Sequence, residues 1–77
     1  MPALKMPTRQ QEIYDELISI SGGAKMLSMK QIGQYWGRDE RAARKWVNDM
    51  GISCFVLNGI KRYSARDVSR AVYHCEA

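Results

Sequence analysis

The stretch Ser28–Met50, SMKQIGQYWGRDERAARKWVNDM, allows few folds, because it reads as two short helices held about a sharp turn. Ser28 is placed as an N-cap, with Gln31 three residues on to complete a capping box. Leu27 before the cap and Ile32 after it have the spacing of a hydrophobic staple. Met29, Ile32 and Trp36 then recur at i, i+3, i+7 and share one helix face. Gly37 follows the last apolar residue, where a left-handed C′ position favours glycine. Asp39 caps a second helix, whose inward stripe is Ala43, Trp46, Val47 and Met50. On its other side Arg41, Arg44, Lys45 and Asn48 fall within one narrow arc at about 100° per residue. A helix buried along one side, with cations and an amide along the other, is built to meet an anionic surface. The two helices together have the shape of a helix-turn-helix.

Charge gathers in the same region. The 77 residues carry 12 Lys and Arg against 8 Asp and Glu, a net charge of +4. Residues 38–66 hold Arg38, Arg41, Arg44, Lys45, Lys61, Arg62 and Arg66 against Asp39, Glu40 and Asp49, so the whole excess sits there. A localised footprint of this kind points to a polyanionic partner. A chain of this length is expected to form one domain with a small core and no separate catalytic domain. No apolar run approaches the ~20 residues of a membrane span. The N-terminus MPALKMPTRQQ lacks the apolar core of a secretory signal. A cytoplasmic location without membrane contact is therefore expected, with Cys54 and Cys75 as two buried free thiols.

In chain order, residues 1–7 contain both prolines and no periodic pattern, and read as a flexible tail ahead of a single domain over 8–77. Thr8 is the expected N-cap of a helix over about residues 9–20, with Ile13, Leu17 and Ile20 inward and Tyr14 and Ile18 beside them. Ser21-Gly22-Gly23 ends it. This helix is extra to a minimal helix-turn-helix, and either braces the core or meets a second molecule. Beyond Gly51, ISCFVL and IKRY flank Asn58-Gly59, the strongest short-range hairpin signal in the chain. A two-residue turn sets Leu57 opposite Ile60, Val56 opposite Lys61, Phe55 opposite Arg62 and Cys54 opposite Tyr63. A lone hairpin is marginal in water, so one side must pack, and the side carrying Tyr63 is expected to do so. Ser64 and Asp67 cap a last helix over about 65–75, with Val68, Ala71, Val72 and Cys75 inward.

With that order in hand, LSMKQIGQYWGRDERAARKWVNDMGI followed by NGIKRYSARDV resembles the excisionase-type winged-helix domains, relatives of the DNA-binding domain of MerR-like regulators. The features that carry the resemblance are Leu27-Ser28, Ile32, Trp36-Gly37, the cap at Asp39, the run Arg44-Lys45-Trp46-Val47, the turn at Gly59, Arg62-Tyr63 and Asp67-Val68. The chain departs from the pattern at Arg38, where an apolar residue is usual, at Gly33 in place of alanine, and in a wing with no proline and few arginines. The resemblance covers roughly residues 26–75. It implies a mainly α fold with a small β-hairpin wing: a winged helix-turn-helix with an extra N-terminal helix. It also implies sequence-specific binding of double-stranded DNA, the second helix in the major groove and the wing on backbone or minor groove. Arg38, Arg41, Arg44, Lys45 and Asn48 would then face DNA from the helix side, and Lys61 and Arg62 from the wing. The implied roles are an excisionase-like recombination factor or a small transcriptional regulator, of phage or mobile-element type. Self-association on DNA, or a recombinase or polymerase partner, would accompany either role.

Plainer readings stand beside these. The helix cations are also what a solvated face looks like. Lys61 and Arg62 are also what guards an edge strand, and the Arg62 stem can lie on Phe55. Trp36 and Trp46 fall on apolar stripes and are expected in the core. His74, Cys75 and Cys54 do not make a closed zinc site, so no metal or cofactor is expected. Ser21-Gly22-Gly23 lacks the lysine of a phosphate-binding loop, no nucleophile sits with a base, and catalysis is not expected. The alternative function is a winged-helix module that binds an acidic protein partner. RNA fits less well, since the A-form major groove is too narrow for a helix.

Overall fold

Residues 7–76 are described by the computed structural model. They form α1 (Thr8–Ile20), β1 (Met26–Leu27), α2 (Met29–Trp36), α3 (Glu40–Met50), β2 (Cys54–Leu57), β3 (Ile60–Ser64) and α4 (Ala65–Glu76). The chain is thus mainly helical with a small antiparallel sheet, in the order β1-β3-β2. The tail expected over residues 1–7 lies, except for Pro7, outside the described residues. No helix among the described residues is long and apolar enough to cross a membrane.

The two central helices begin and end at the expected residues. Ser28 Oγ accepts from the Gln31 backbone N–H at 3.2 Å, and the Ser28 N–H donates to Gln31 Oε1 at 2.9 Å. Both halves of the capping box are made, so two of the orphan donors at the start of α2 are satisfied. Leu27 and Ile32 on either side of the cap are fully buried. Asp39 Oδ1 accepts from the Ala42 N–H at 2.9 Å and starts α3. Gly37 (φ 69°) and Gly51 (φ 66°) end α2 and α3 in the left-handed region that a side chain would disfavour.

Gly33 has a different task. The Arg38 N–H donates to the Gly33 carbonyl at 2.9 Å, folding the turn back on α2. A methyl group on Gly33 would stand 2.8 Å from the Arg38 carbonyl oxygen and 3.2 Å from that of Asp39. The glycine is what allows the α2–α3 turn to sit against its own helix.

The hairpin has the expected register, from Cys54 opposite Tyr63 to Leu57 opposite Ile60, closed by Asn58 (φ 52°) and Gly59 (φ 77°). Positive φ at both turn residues is the geometry that matches strand twist. The third strand was not expected. Leu27 pairs with Tyr63 and Met26 with Ser64, and the Ala65 N–H donates to the Lys25 carbonyl at 2.8 Å. β1 therefore ties the entry to α2 directly to the base of the hairpin. Tyr63 is buried there as expected, but its neighbours on β2 are exposed along the whole strand.

The core is made of Ile13, Leu17, Leu27, Ile32, Ala43, Val47, Tyr63, Ala65, Val68 and Val72. α1 packs chiefly on α4 and then on α2, so of the two roles open to it, it braces the core. Its start differs from expectation. Pro7 holds the N-cap position, no side chain caps the helix, and Thr8 is already its first residue. Proline there has a preset φ, and its carbonyl accepts from the Gln11 N–H at 2.9 Å. At the far end of the α1–α4 pair, Arg9 grips Glu76 with two bonds, Nε to Oε1 at 2.8 Å and Nη2 to Oε2 at 2.7 Å. The Arg9 guanidinium holds the Glu76 carboxyl below its ordinary value.

Two predictions follow from this packing. Gly33→Ala should lower stability by about 1–3 kcal/mol, an overpacking cost against backbone that cannot rotate away; urea unfolding should show a reduced midpoint with unchanged slope. A carboxylate whose folded pKa is depressed adds stability above its unfolded value and loses it as pH falls through the folded one. The Arg9–Glu76 pair is exposed and its effect small, so Glu76→Gln should melt slightly below the wild type at neutral pH, and the two melting temperatures should converge as pH falls below 4.5, the ordinary value of this carboxyl.

Candidate nucleic-acid interface

Six of the seven side chains proposed to face DNA are exposed, and the seventh, Arg62, is half-buried. They do not form one surface. α3 and β3 together wall a cleft of about 280 Å³ lined by Met29, Arg44, Asn48, Lys61 and Tyr63. Arg44 and Asn48 reach it because they lie four residues apart, on one face of α3. Lys61 and Tyr63 reach it because residues two apart on a strand share a face. This cleft is where the cations of α3 and of the hairpin meet.

The remaining four do not line it. Arg41 extends the α3 stripe one turn toward the helix start. Lys45 belongs to the same stripe, but its Nζ lies 3.3 Å from Asp49 Oδ2. An exposed pair of this kind adds little to stability, yet it sets a carboxylate beside a cation counted as available. Arg62 alternates with Lys61, so it projects from the opposite face of the hairpin, across from Phe55. Arg38 lines a separate apolar cleft with Trp36, Ala42, Ala43 and Trp46. By contrast Arg44 and Lys61 make no ion pair among the described residues.

Tyr63, like Met29, lines the cleft although its sequence pattern points only to packing. Burial pushes its phenol above the ordinary value, Cys54 opposite it pushes the same way, and the charge of Arg44 pulls back. The phenol therefore stays protonated at neutral pH and remains a hydrogen-bond donor. The signal was present in the alternation, since whatever face Lys61 occupies, Tyr63 shares.

The tryptophans differ from expectation. Trp36 is 37% exposed, and Trp46, although it packs against the core, is only partly buried. They pack edge to face with ring centroids 5.2 Å apart, and Tyr35 meets Trp36 in the same manner at 5.4 Å. Edge-to-face contact suits the ring quadrupoles and gives each ring a neighbour outside the aliphatic core. Met50, expected inward, is exposed near the end of α3. Cys54 and Cys75 are likewise exposed rather than buried, Cys54 on the open strand β2 and Cys75 with its Sγ 3.7 Å from Met50 Sδ. Among the described residues no three His, Cys, Asp or Glu side chains converge as metal ligands would.

No protein family, curated protein or solved structure gives a significant match to this chain.

Both thiols should react fully with a thiol-specific reagent under native conditions, without denaturant. Protection of either one until the chain unfolds would contradict their exposure.

Proposed function

We propose that the chain is a sequence-specific double-stranded DNA-binding protein with a winged helix-turn-helix fold of the excisionase or MerR-like kind. In this reading α2 and α3 are the helix-turn-helix, α3 enters the major groove, and β2–β3 is the wing on backbone or minor groove. The role is that of an excisionase-like recombination factor or a small transcriptional regulator in the cytoplasm. The observation that carries the proposal is the cleft in which Arg44 and Asn48 of α3 meet Lys61 of β3 with no carboxylate among its lining residues.

Arginine at a groove-facing helix position can hold guanine O6 and N7 together, and asparagine can hold adenine N6 and N7. Lysine on a strand acts as a point charge for phosphate and sets register without reading sequence. Arg41 continues the same face. With Lys45 beside Asp49 and Arg62 on the far side of the wing, roughly three or four cations address phosphates at once, for a slope of log K against log salt near −3.

Selection of bound sites from a random duplex library, followed by titration on selected and random DNA, tests this. Arg44→Ala should weaken the selected site by about 1–3 kcal/mol and random DNA much less. Lys61→Ala should weaken both alike and flatten the salt slope by about one contact. Asp49→Asn, which frees Lys45, should strengthen binding to both and steepen the slope by about one contact. Equal losses for Arg44→Ala and Lys61→Ala on both DNAs would mean that α3 does not read bases.

The second reading is a module that binds an acidic protein. It is favoured by the cleft between Trp36 and Trp46 with Arg38 at its edge, since tryptophan and arginine are the usual anchors of protein interfaces. Loss of a protein partner on Trp36→Ala, with no duplex bound by the wild type, would select it.

A further inference from the structure

The least sheltered part of the molecule is the open edge of its sheet. β2 is the outer strand of the order β1-β3-β2, so among the described residues one side of its backbone has no partner. Natural edge strands are guarded by charge, proline or a bulge. Residues 50–60 contain no charged residue and no proline, and the β2–β3 register runs without a bulge. The side chains are open as well: Phe55 is 47% exposed, Val56 61%, Leu57 59% and Ile60 51%.

In a two-residue hairpin the residues flanking the turn exchange both backbone hydrogen bonds, and such pairs alternate along the ladder. Leu57 and Phe55 therefore turn their backbone groups to β3, and Val56 and Cys54 aim theirs outward from the edge. Two copies of such an edge can pair antiparallel across a two-fold axis perpendicular to the sheet. Only registers that keep like faces together are allowed, because side chains alternate. The register centred on Val56 satisfies both conditions. It sets Val56 against Val56 of the second copy, and Phe55 against Leu57 of the second copy in both directions. Each exposed apolar residue of β2 from Phe55 to Leu57 then meets another apolar residue, the cross-strand contact that stabilises sheets.

We infer that the β2 edge is a docking surface for a second copy of this chain, paired antiparallel about Val56 to give a continuous six-stranded sheet. Charge and area set when the pairing occurs. A four-residue edge buries far less than the roughly 1,200–2,000 Å² of a stable interface, and each copy carries +4. Pairing is therefore weak in dilute solution and grows as salt or a polyanion screens the charge. The axis perpendicular to the sheet also keeps both Lys61 faces on one side. On the duplex reading proposed above, which this last step rests on, the two cationic clefts address one DNA molecule and favour inverted half-sites.

Sedimentation equilibrium of the full chain, over a concentration series at low and high salt, tests the pairing without DNA. The wild type should be monomeric at low salt and in monomer–dimer equilibrium at high salt, with Val56 amide exchange slowing as concentration rises. Val56→Lys, which faces Lys61 across the hairpin and so melts slightly lower, should stay monomeric throughout. Val56→Pro, which removes only an outward N–H, should do the same. A wild type monomeric at every salt and concentration overturns the inference, and so does a Val56→Lys variant that dimerises like the wild type. On a selected duplex carrying two inverted half-sites, the wild type should bind cooperatively and Val56→Pro, which adds no charge, without cooperativity. Duplex binding by a wild type that never dimerises defeats the pairing and leaves the DNA reading standing. Dimerisation without duplex binding does the reverse.

Discussion

Leu27 lies across from Tyr63 in the sheet, and both are buried in the core. This contact ties the entry of α2 to the base of the hairpin. Leu27 is the last residue before the Ser28 cap, so its placement fixes where α2 starts. Tyr63 is the last buried residue of the hairpin, one position before Ser64 leads into α4. Around the pair the ladder is short, and Leu27 and Tyr63 both belong to the buried core with Ile32, Val47 and Val68. Without the join, the hairpin would be an isolated two-stranded ribbon, which is marginal in water. The position of Lys61 relative to Arg44 is a consequence of it.

The parts of the fold legible in the sequence are those decided within a few residues. Ser28 with Gln31, Gly37, Asp39, Gly51 and Asn58-Gly59 are each read by backbone groups next door, and all take their expected places. β1 escaped notice because two residues carry no periodicity. Pro7 occupies the cap for which Thr8 is also suited, since both residue types favour a helix start. Trp36, Met50 and Cys75 lie on the apolar stripes that were drawn for them, but a stripe is wider than the surface that covers it. How much of it is covered depends on the neighbouring element, and that is settled by tertiary packing rather than by local pattern.

For the candidate interface, composition identified the residues and the structure sorted them. The helical arc of Arg41, Arg44, Lys45 and Asn48 was visible from spacing alone. That Lys45 has Asp49 one turn on was equally visible, although its effect on the available charge emerges only from the 3.3 Å contact. The division between Lys61 and Arg62 follows from strand alternation and needs only the knowledge of which face Tyr63 takes. Arg38 is separated by the turn that Gly33 makes possible, which carries it to the tryptophan side. Neighbours in a list of charges are thus not all neighbours in space, whereas Arg44, Asn48 and Lys61 share a cleft.

The two walls of that cleft are held very differently. Arg44 and Asn48 ride on α3, which is capped at both ends, seated through Ala43 and Val47, and locked to α2 by the tight turn at Gly33. Lys61 rides on a ribbon anchored at one end only, with β2 exposed from Cys54 to Leu57. One jaw is stiff and the other compliant. A ligand entering the cleft meets a template already in its final shape on the helix side, where little conformational entropy remains to be lost. On the strand side it meets an arm that follows the contour of whatever is held. On the proposed reading, selectivity and grip would fall to separate elements, and a change in one need not disturb the other.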